Sequence, residues 1–198
     1  MQYFQHLLII GVVVVLVWCL FIYFWPRLLL SVFKRAVLVK GFGDGPIPVN
    51  TLYTQPQQTF AEPLAPQTAS RSNLMTTGVN HDTLYMMGVL DLRNEPLVLH
   101  VPDMNDRYYS VQFTDPSKNT DFAYVGKRTT GTQAGDYLIT GSGWKGQAPG
   151  GMKQISSPNN SVILVGRVLV QSDSDLATAY DLSKQIQLTP LGGWQPSQ

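Results

Sequence analysis

Two short polar stretches carry the residues best suited to bind a small molecule or ion: Asn80, His81 and Asp82, then Asp103, Arg107 and Tyr109. In this set Asp82 or Asp103 would serve as base or ligand. Arg107 would hold a carboxylate or phosphate through its two-pronged guanidinium, and Tyr109 would wall the pocket. For the two stretches to meet, their strands must be neighbours, as sequential strands usually are. A structural reading competes with this one. Tyr109 shares a strand face with Val111 and Phe113, which suits a core position. Asn80 and Asp82 suit an Asx-turn, and Asp103 and Asp106 suit a turn around Asn105, so the same residues could simply stabilise the sheet.

Adding His100 and Asp106 gives a candidate metal set, because imidazole with carboxylate suits a divalent transition metal and oxygen ligands alone suit calcium. The spacing matches no standard ligand motif, so no metal or cofactor is assigned. Residues 141–146 fit G-x-G-x-x-G by letters. A dinucleotide loop needs a following helix to hold the pyrophosphate. Here Gln147, Ala148, Pro149, Gly150 and Gly151 follow, so the expectation is a glycine-rich hairpin with Trp144 folded onto the sheet. No G-x-S-x-G elbow marks a hydrolase serine. Asp106, Arg107, Tyr108 and Tyr109 could line a polar pocket with Tyr85, Tyr124 and Tyr137, which suits a sugar or small molecule. Lys127 to Gly131 could meet an anion through cations and turn amides, or form a solvated hairpin tip.

The elements that must position these residues read mainly as strands. Stretches 83–92, 96–101, 107–113, 121–125, 136–140 and 161–170 are short and apolar, with turn residues between them. Residues 107–113 alternate with period two: Tyr109, Val111 and Phe113 on one face, Tyr108, Ser110 and Gln112 on the other. Residues 173–188 form the one helix expected after the N-terminal segment, capped by Ser172 or Asp173. The fold class is mainly β, an antiparallel β-sandwich or barrel-like domain with one C-terminal helix, preceded by a single transmembrane helix.

That transmembrane helix rests on residues 7–25, an uncharged apolar run flanked by Tyr3 and Phe4 and by Tyr23, Phe24 and Trp25. At about 1.5 Å rise per residue it matches a hydrocarbon layer of about 30 Å. Pro26 is expected to end the helix, and residues 28–39 to form an interfacial amphipathic helix. Residues 1–40 make the anchor and juxtamembrane segment, 41–79 an extended Pro/Gly/Gln-rich lead-in with a short strand near 49–53, and 80–198 the β-rich domain. Of the 14 basic residues, Arg27, Lys34, Arg35 and Lys40 lie in the first 40 positions, where no acid occurs. The remainder holds ten basic against all 13 acidic residues. That balance excludes a nucleic-acid binder driven by a basic surface. The single cysteine, Cys19, excludes a disulfide scaffold.

The chain reads NHDTLY at 80–85, VPDMNDRYYSVQFTD at 101–115, FAYVGKRTTGTQAGDYLITGSGWKG at 122–146, VGRVLV at 165–170 and LTPL at 188–191. In that order and spacing it resembles the bacterial family called domain of unknown function 1254, over about 80–191. The resemblance implies a mainly β fold, an extracytoplasmic setting and no established reaction. It also implies a partner domain, domain of unknown function 1214, which a separate chain would supply here. The function expected is a single-span, membrane-anchored β-domain protein of the bacterial cell envelope, a non-catalytic binding or accessory protein. It would sit in the inner membrane with its large domain in the periplasm, although the four cations after the span favour the cytoplasm. The alternatives are a subunit of a larger membrane complex, or a hydrolase-like or metal-assisted enzyme with a site near Asn80–Asp82 and Asp103–Tyr109. Besides such chains, the lipid bilayer is the expected partner.

Overall fold

A computed structural model describes residues 2–41, 45–57, 82–150 and 152–195. It opens with one 39-residue helix, α1 (Gln2–Lys40). This helix is long and apolar enough to cross a membrane, and none of its most apolar stretch is buried by protein. Contrary to the sequence expectation, Pro26 lies inside α1 and does not end it. Proline removes one backbone donor and normally kinks or breaks a helix. Two side-chain contacts support the neighbouring turns: Arg27 Nη1 donates to the Tyr23 carbonyl (2.6 Å) and Ser31 Oγ to the Arg27 carbonyl (2.9 Å). Beyond the proline the helix is held by tertiary packing, a stronger determinant of helix persistence than propensity. Val37 packs with Ile47 and Val89, flanked by Phe33, Leu38, Tyr53 and Met87.

The remainder is a two-layer β-sandwich. The first sheet contains β1 (Leu52–Thr54), β2 (Thr83–Asp91), β4 (Tyr109–Asp115), β5 (Thr120–Gly126) and β8 (Ser161–Leu169), in the order β1-β2-β8-β4-β5. The second contains β3 (Leu97–Val101), β6 (Gly135–Thr140), β7 (Lys153–Ser156) and β9 (Gln187–Pro190), in the order β7-β6-β3-β9. Among the described residues every pairing is antiparallel except β6 with β7. Alternation selects the inner faces. Leu84, Met86, Tyr109, Val111, Phe113 and Leu164 of the first sheet meet Leu97, Leu99, Val101 and Ile139 of the second, all fully buried. Burying each large apolar side chain contributes about 1.5–3 kcal/mol.

Three local expectations need correction. The C-terminal helix, α2 (Leu176–Gln185), stops short of Leu188. Residues 187–190 pair with β3, Leu188 opposite Leu99, because an open sheet edge satisfies their backbone groups. At the other end, Asp173–Asp175 forms a single 3-10 turn, and Ser172 makes no side-chain cap; its hydroxyl meets that of Ser174 (2.9 Å). The glycine-rich stretch is not a hairpin, since the strands on either side run parallel. Gly143 takes a positive φ, and two other glycines answer to packing. A Cβ on Gly141 would lie 2.3 Å from Asn160 Oδ1, and one on Gly146 would lie 2.4 Å from the Trp144 ring.

The strand register gives the sandwich two distinct ends. One, the proximal end, carries the turns around Asp91–Pro96, Pro116–Asn119 and Ser157–Asn160, stitched together by Leu92 N to Asn160 O (2.8 Å) and Asn159 Nδ2 to Ser117 Oγ (2.9 Å). The other, the distal end, carries Asp82, residues 102–108, 127–134 and 169–175, and α2. Helix α1 runs along this axis: Val37 packs beside Val89, Lys34 Nζ donates to Ser161 Oγ (2.5 Å), and Arg27 Nε donates to the Ser117 carbonyl (3.0 Å). Its apolar N-terminal part therefore projects from the proximal end.

Candidate functional site

Asn80 and His81 lie outside the described residues. Asp82, Asp103, Arg107 and Tyr109 all lie at the distal end, though not as adjacent strands would place them. Strand β8 runs between β2 and β4. It bridges the two stretches: Val170 N donates to the Asp82 carbonyl (2.7 Å), and Arg107 Nη1 donates to the Leu169 carbonyl (2.7 Å). Arg107 also grips Asp175, its Nη2 donating to Oδ1 at 2.7 Å. That hydrogen bond, first, holds the Asp175 carboxyl below its ordinary range, with burial acting the other way. Asp103 Oδ1 accepts the Asn105 N–H (2.8 Å), the expected turn contact, and Asn105 and Asp106 both take positive φ. Tyr109 is fully buried on the inner face, its hydroxyl donating to the Gly131 carbonyl (3.1 Å). Burial foremost pushes that phenol above its ordinary pKa.

His100 lies on the second sheet, its Nδ1 2.7 Å from Asp136 Oδ1. Among the described residues no three His, Cys, Asp or Glu side chains gather as a metal site.

The open polar surface lies instead on the outer face of the first sheet. There Tyr108, just before β4, and Ser110 and Gln112 of β4 face outward, β5 adds Tyr124, the turn after it adds Arg128 and Thr129, and β8 adds Arg167; together they line a shallow groove of about 250 Å³. The Arg128 guanidinium lies 5.5 Å from the Tyr108 ring centre, and that of Arg167 lies 5.4 Å from the Tyr85 ring centre. Among the described residues neither arginine forms a salt bridge. On the groove's proximal side Asp121 accepts hydrogen bonds from Thr114 (2.6 Å), Gln112 (2.8 Å) and Tyr124 (2.6 Å). Burial raises the Asp121 pKa, but these bonds outweigh it and leave the carboxyl below its ordinary range. The same contact, above all, raises the Tyr124 phenol.

Gly126 sets the groove floor. A Cβ there would sit 2.5 Å from the Tyr109 carbonyl oxygen. Chemically, two guanidiniums beside aromatic rings, with hydroxyl and amide donors between them, suit a carboxylate or phosphate attached to a flat or apolar body. The tyrosine set expected from the sequence thus divides: Tyr85, Tyr108 and Tyr124 face outward, while Tyr109 and Tyr137 lie in the core. Arg167 was not singled out by its sequence context, yet it is a lone charge within an otherwise apolar strand, and that is the signal that could have found it.

No curated protein matches the chain. A crystal structure of a protein from Vibrio parahaemolyticus resembles it with a TM-score of 0.63 and 25% identity, over 90% of this chain and 40% of that one. The chain therefore spans less than half the length of that relative. A crystal structure of an uncharacterized protein from Burkholderia cenocepacia aligns at a TM-score of 0.36 and 12% identity, over 60% of this chain and 32% of that one, too remote to support an inference. Residues 60–190 match the family described as protein of unknown function (DUF1254), and with most of its length so matched the chain belongs to that family.

Proposed function

We propose that this chain is a membrane-anchored binding protein of the bacterial cell envelope. In this reading α1 crosses the inner membrane once, and the sandwich, on the periplasmic side, holds a small anionic molecule in the groove between Tyr108, Tyr124, Arg128 and Arg167. The observation that carries it is the pair of groove arginines, each beside a tyrosine ring and neither neutralised by a carboxylate among the described residues. A guanidinium so placed is oriented for a two-pronged contact with an oxyanion. The cations after the span would ordinarily favour a cytoplasmic domain. Two of them have a structural use that weakens that inference, since Arg27 and Lys34 bind Ser117 and Ser161.

The test is calorimetric titration of the full chain in detergent with inorganic phosphate, citrate and benzoate. Binding of at least one of them is expected. Arg167→Gln should weaken it about tenfold, equivalent to about 1.4 kcal/mol, with an unchanged melting temperature. Absence of binding by all three, or equal affinity in the variant, would sink the reading.

A further inference from the structure

Helix α1 is both the apolar N-terminal segment and the element clamped to the sandwich, with no linker between. Arg27, two residues beyond the end of the apolar run at Trp25, already touches the Ser117 carbonyl of the β4–β5 turn (3.0 Å). At about 1.5 Å rise per residue, that turn lies within one helical turn of the end of the span. A helix crossing a bilayer through residues 7–25 would bring the proximal end of the sandwich to the headgroup layer.

The composition of that end suits such a surface. Lys118 is exposed on the turn held by Arg27, and Lys145 is exposed in the 141–146 loop. That loop belongs to the same end because Ser142 Oγ contacts Asn160 Oδ1 (3.4 Å). Trp144 is half-buried beside Lys145. Trp194 is half-buried in the C-terminal turn, which Leu191 N ties to the Pro96 carbonyl (3.0 Å). Tryptophan favours the boundary between headgroups and acyl chains, and each surface lysine near anionic lipid contributes about 1 kcal/mol. The acids at this end are Asp91, held by Arg93, buried Asp115, Asp121 in its hydrogen-bonded cluster, and exposed Glu95. The distal end carries more acids, Asp82, Asp103, Asp106, Asp136, Asp173 and Asp175, and of its cations Lys127 and Arg107 are paired with Asp106 and Asp175.

We infer that the proximal end of the sandwich is a lipid-contacting surface. Trp144, Lys145, Lys118 and Trp194 rest on the anionic headgroups of the same bilayer that α1 crosses, and the sandwich is held upright on the membrane. This rests on the reading of α1 as a membrane span and is independent of which side the sandwich occupies.

The experiment uses the full chain with Cys19→Ser, which leaves no cysteine, reconstituted in vesicles of equal parts phosphatidylglycerol and phosphatidylethanolamine. Three variants, Lys118→Cys, Lys145→Cys and Lys127→Cys, each carry an environment-sensitive fluorophore. A lipid with a nitroxide on its headgroup then quenches whatever lies at that depth. Quenching at positions 118 and 145 is expected to exceed that at the distal position 127 by about twofold or more. Equal quenching at all three positions, in protein that resists carbonate extraction, would overturn the lipid-contact inference and leave the anchor standing. Release of the chain by carbonate would overturn the anchor and the inference together.

Discussion

Arg107 and Asp175, 68 positions apart, meet in a two-pronged ion pair that joins the start of β4 to the turn opening α2. Arg107 Nη1 also reaches the Leu169 carbonyl, and Asp175 Oδ2 accepts the Gln171 N–H (2.9 Å), so the pair closes the end of β8 as well. Their side chains are only 10% and 17% exposed, so solvent screens the interaction little.

This pair should make stability acid-sensitive with a definite sign. The Asp175 pKa is lowered on folding, first by the hydrogen bond from Arg107. Its contribution is therefore fully present above the unfolded carboxyl value of about 4 and is lost as pH falls through the lower folded value. Urea midpoints of the full chain in detergent, compared from about pH 6 to about pH 3, should fall less steeply in Asp175→Asn than in the unaltered protein. At the upper pH the variant should be less stable by about 2 kcal/mol.

Gly126→Ala should separate β4 from β5. The added methyl meets backbone, the Tyr109 carbonyl oxygen at 2.5 Å and Ser110 Cα at 2.9 Å, and backbone cannot swing aside as a side chain end can. A loss of about 2–3 kcal/mol in thermal or urea unfolding is expected. Gly150→Ala, with nothing within 4 Å of its Cβ, is the matched control and should change stability by less than about 0.5 kcal/mol.

The docking of α1 on the sandwich should depend on one buried valine. Val37 is 2% exposed between Ile47 and Val89. Placing a carboxylate there costs several kcal/mol unless the contact opens, so Val37→Asp should release the helix end. Hydrogen exchange should become faster at the amides of residues 28–40 and remain slow in β3 and β6. Unchanged protection of 28–40 would mean that the cluster does not hold the helix.

Tyr124 should titrate later than an ordinary phenol because its hydroxyl donates to Asp121 (2.6 Å). Asp121→Asn removes the charge that opposes phenolate formation. Ultraviolet titration at alkaline pH should show one tyrosine shifting to lower pH in the variant. An identical curve would mean that the contact is absent in solution.

Much of the sandwich was legible because its inner faces alternate cleanly, as in residues 109–113, and because turn residues separate the strands. The legible features depend on near neighbours in the chain. The features that differed depend on distant partners. Leu188 extends the helical pattern locally, yet the exposed edge of β3 draws it into a strand. Pro26 is a local stop signal, overridden where Phe33 and Val37 find a surface to pack on. For the candidate site, the sequence indicated a meeting of Asp82 with Arg107, but not that β8 stands between them or that Asp175 occupies the guanidinium. Nothing local in residues 173–175 announces a partner near residue 107. The groove face was partly readable, since Tyr108, Ser110 and Gln112 share one side of their strand. Its second arginine comes from β8, a strand whose place in the sheet no spacing rule supplies.

The order β1-β2-β8-β4-β5 has a consequence for the chain's assembly. The strand at the middle of the main sheet is made after the other four of that sheet. Until residues 161–169 have left the ribosome, β2 and β4 have no common neighbour, and each exposes an unsatisfied row of amides and carbonyls. Closure of this sheet must await β8, so it is dominated by long loop closures, which slow folding. During that interval the exposed strand edges can pair wrongly with other chains, and a holding chaperone or rapid delivery to the bilayer would protect them.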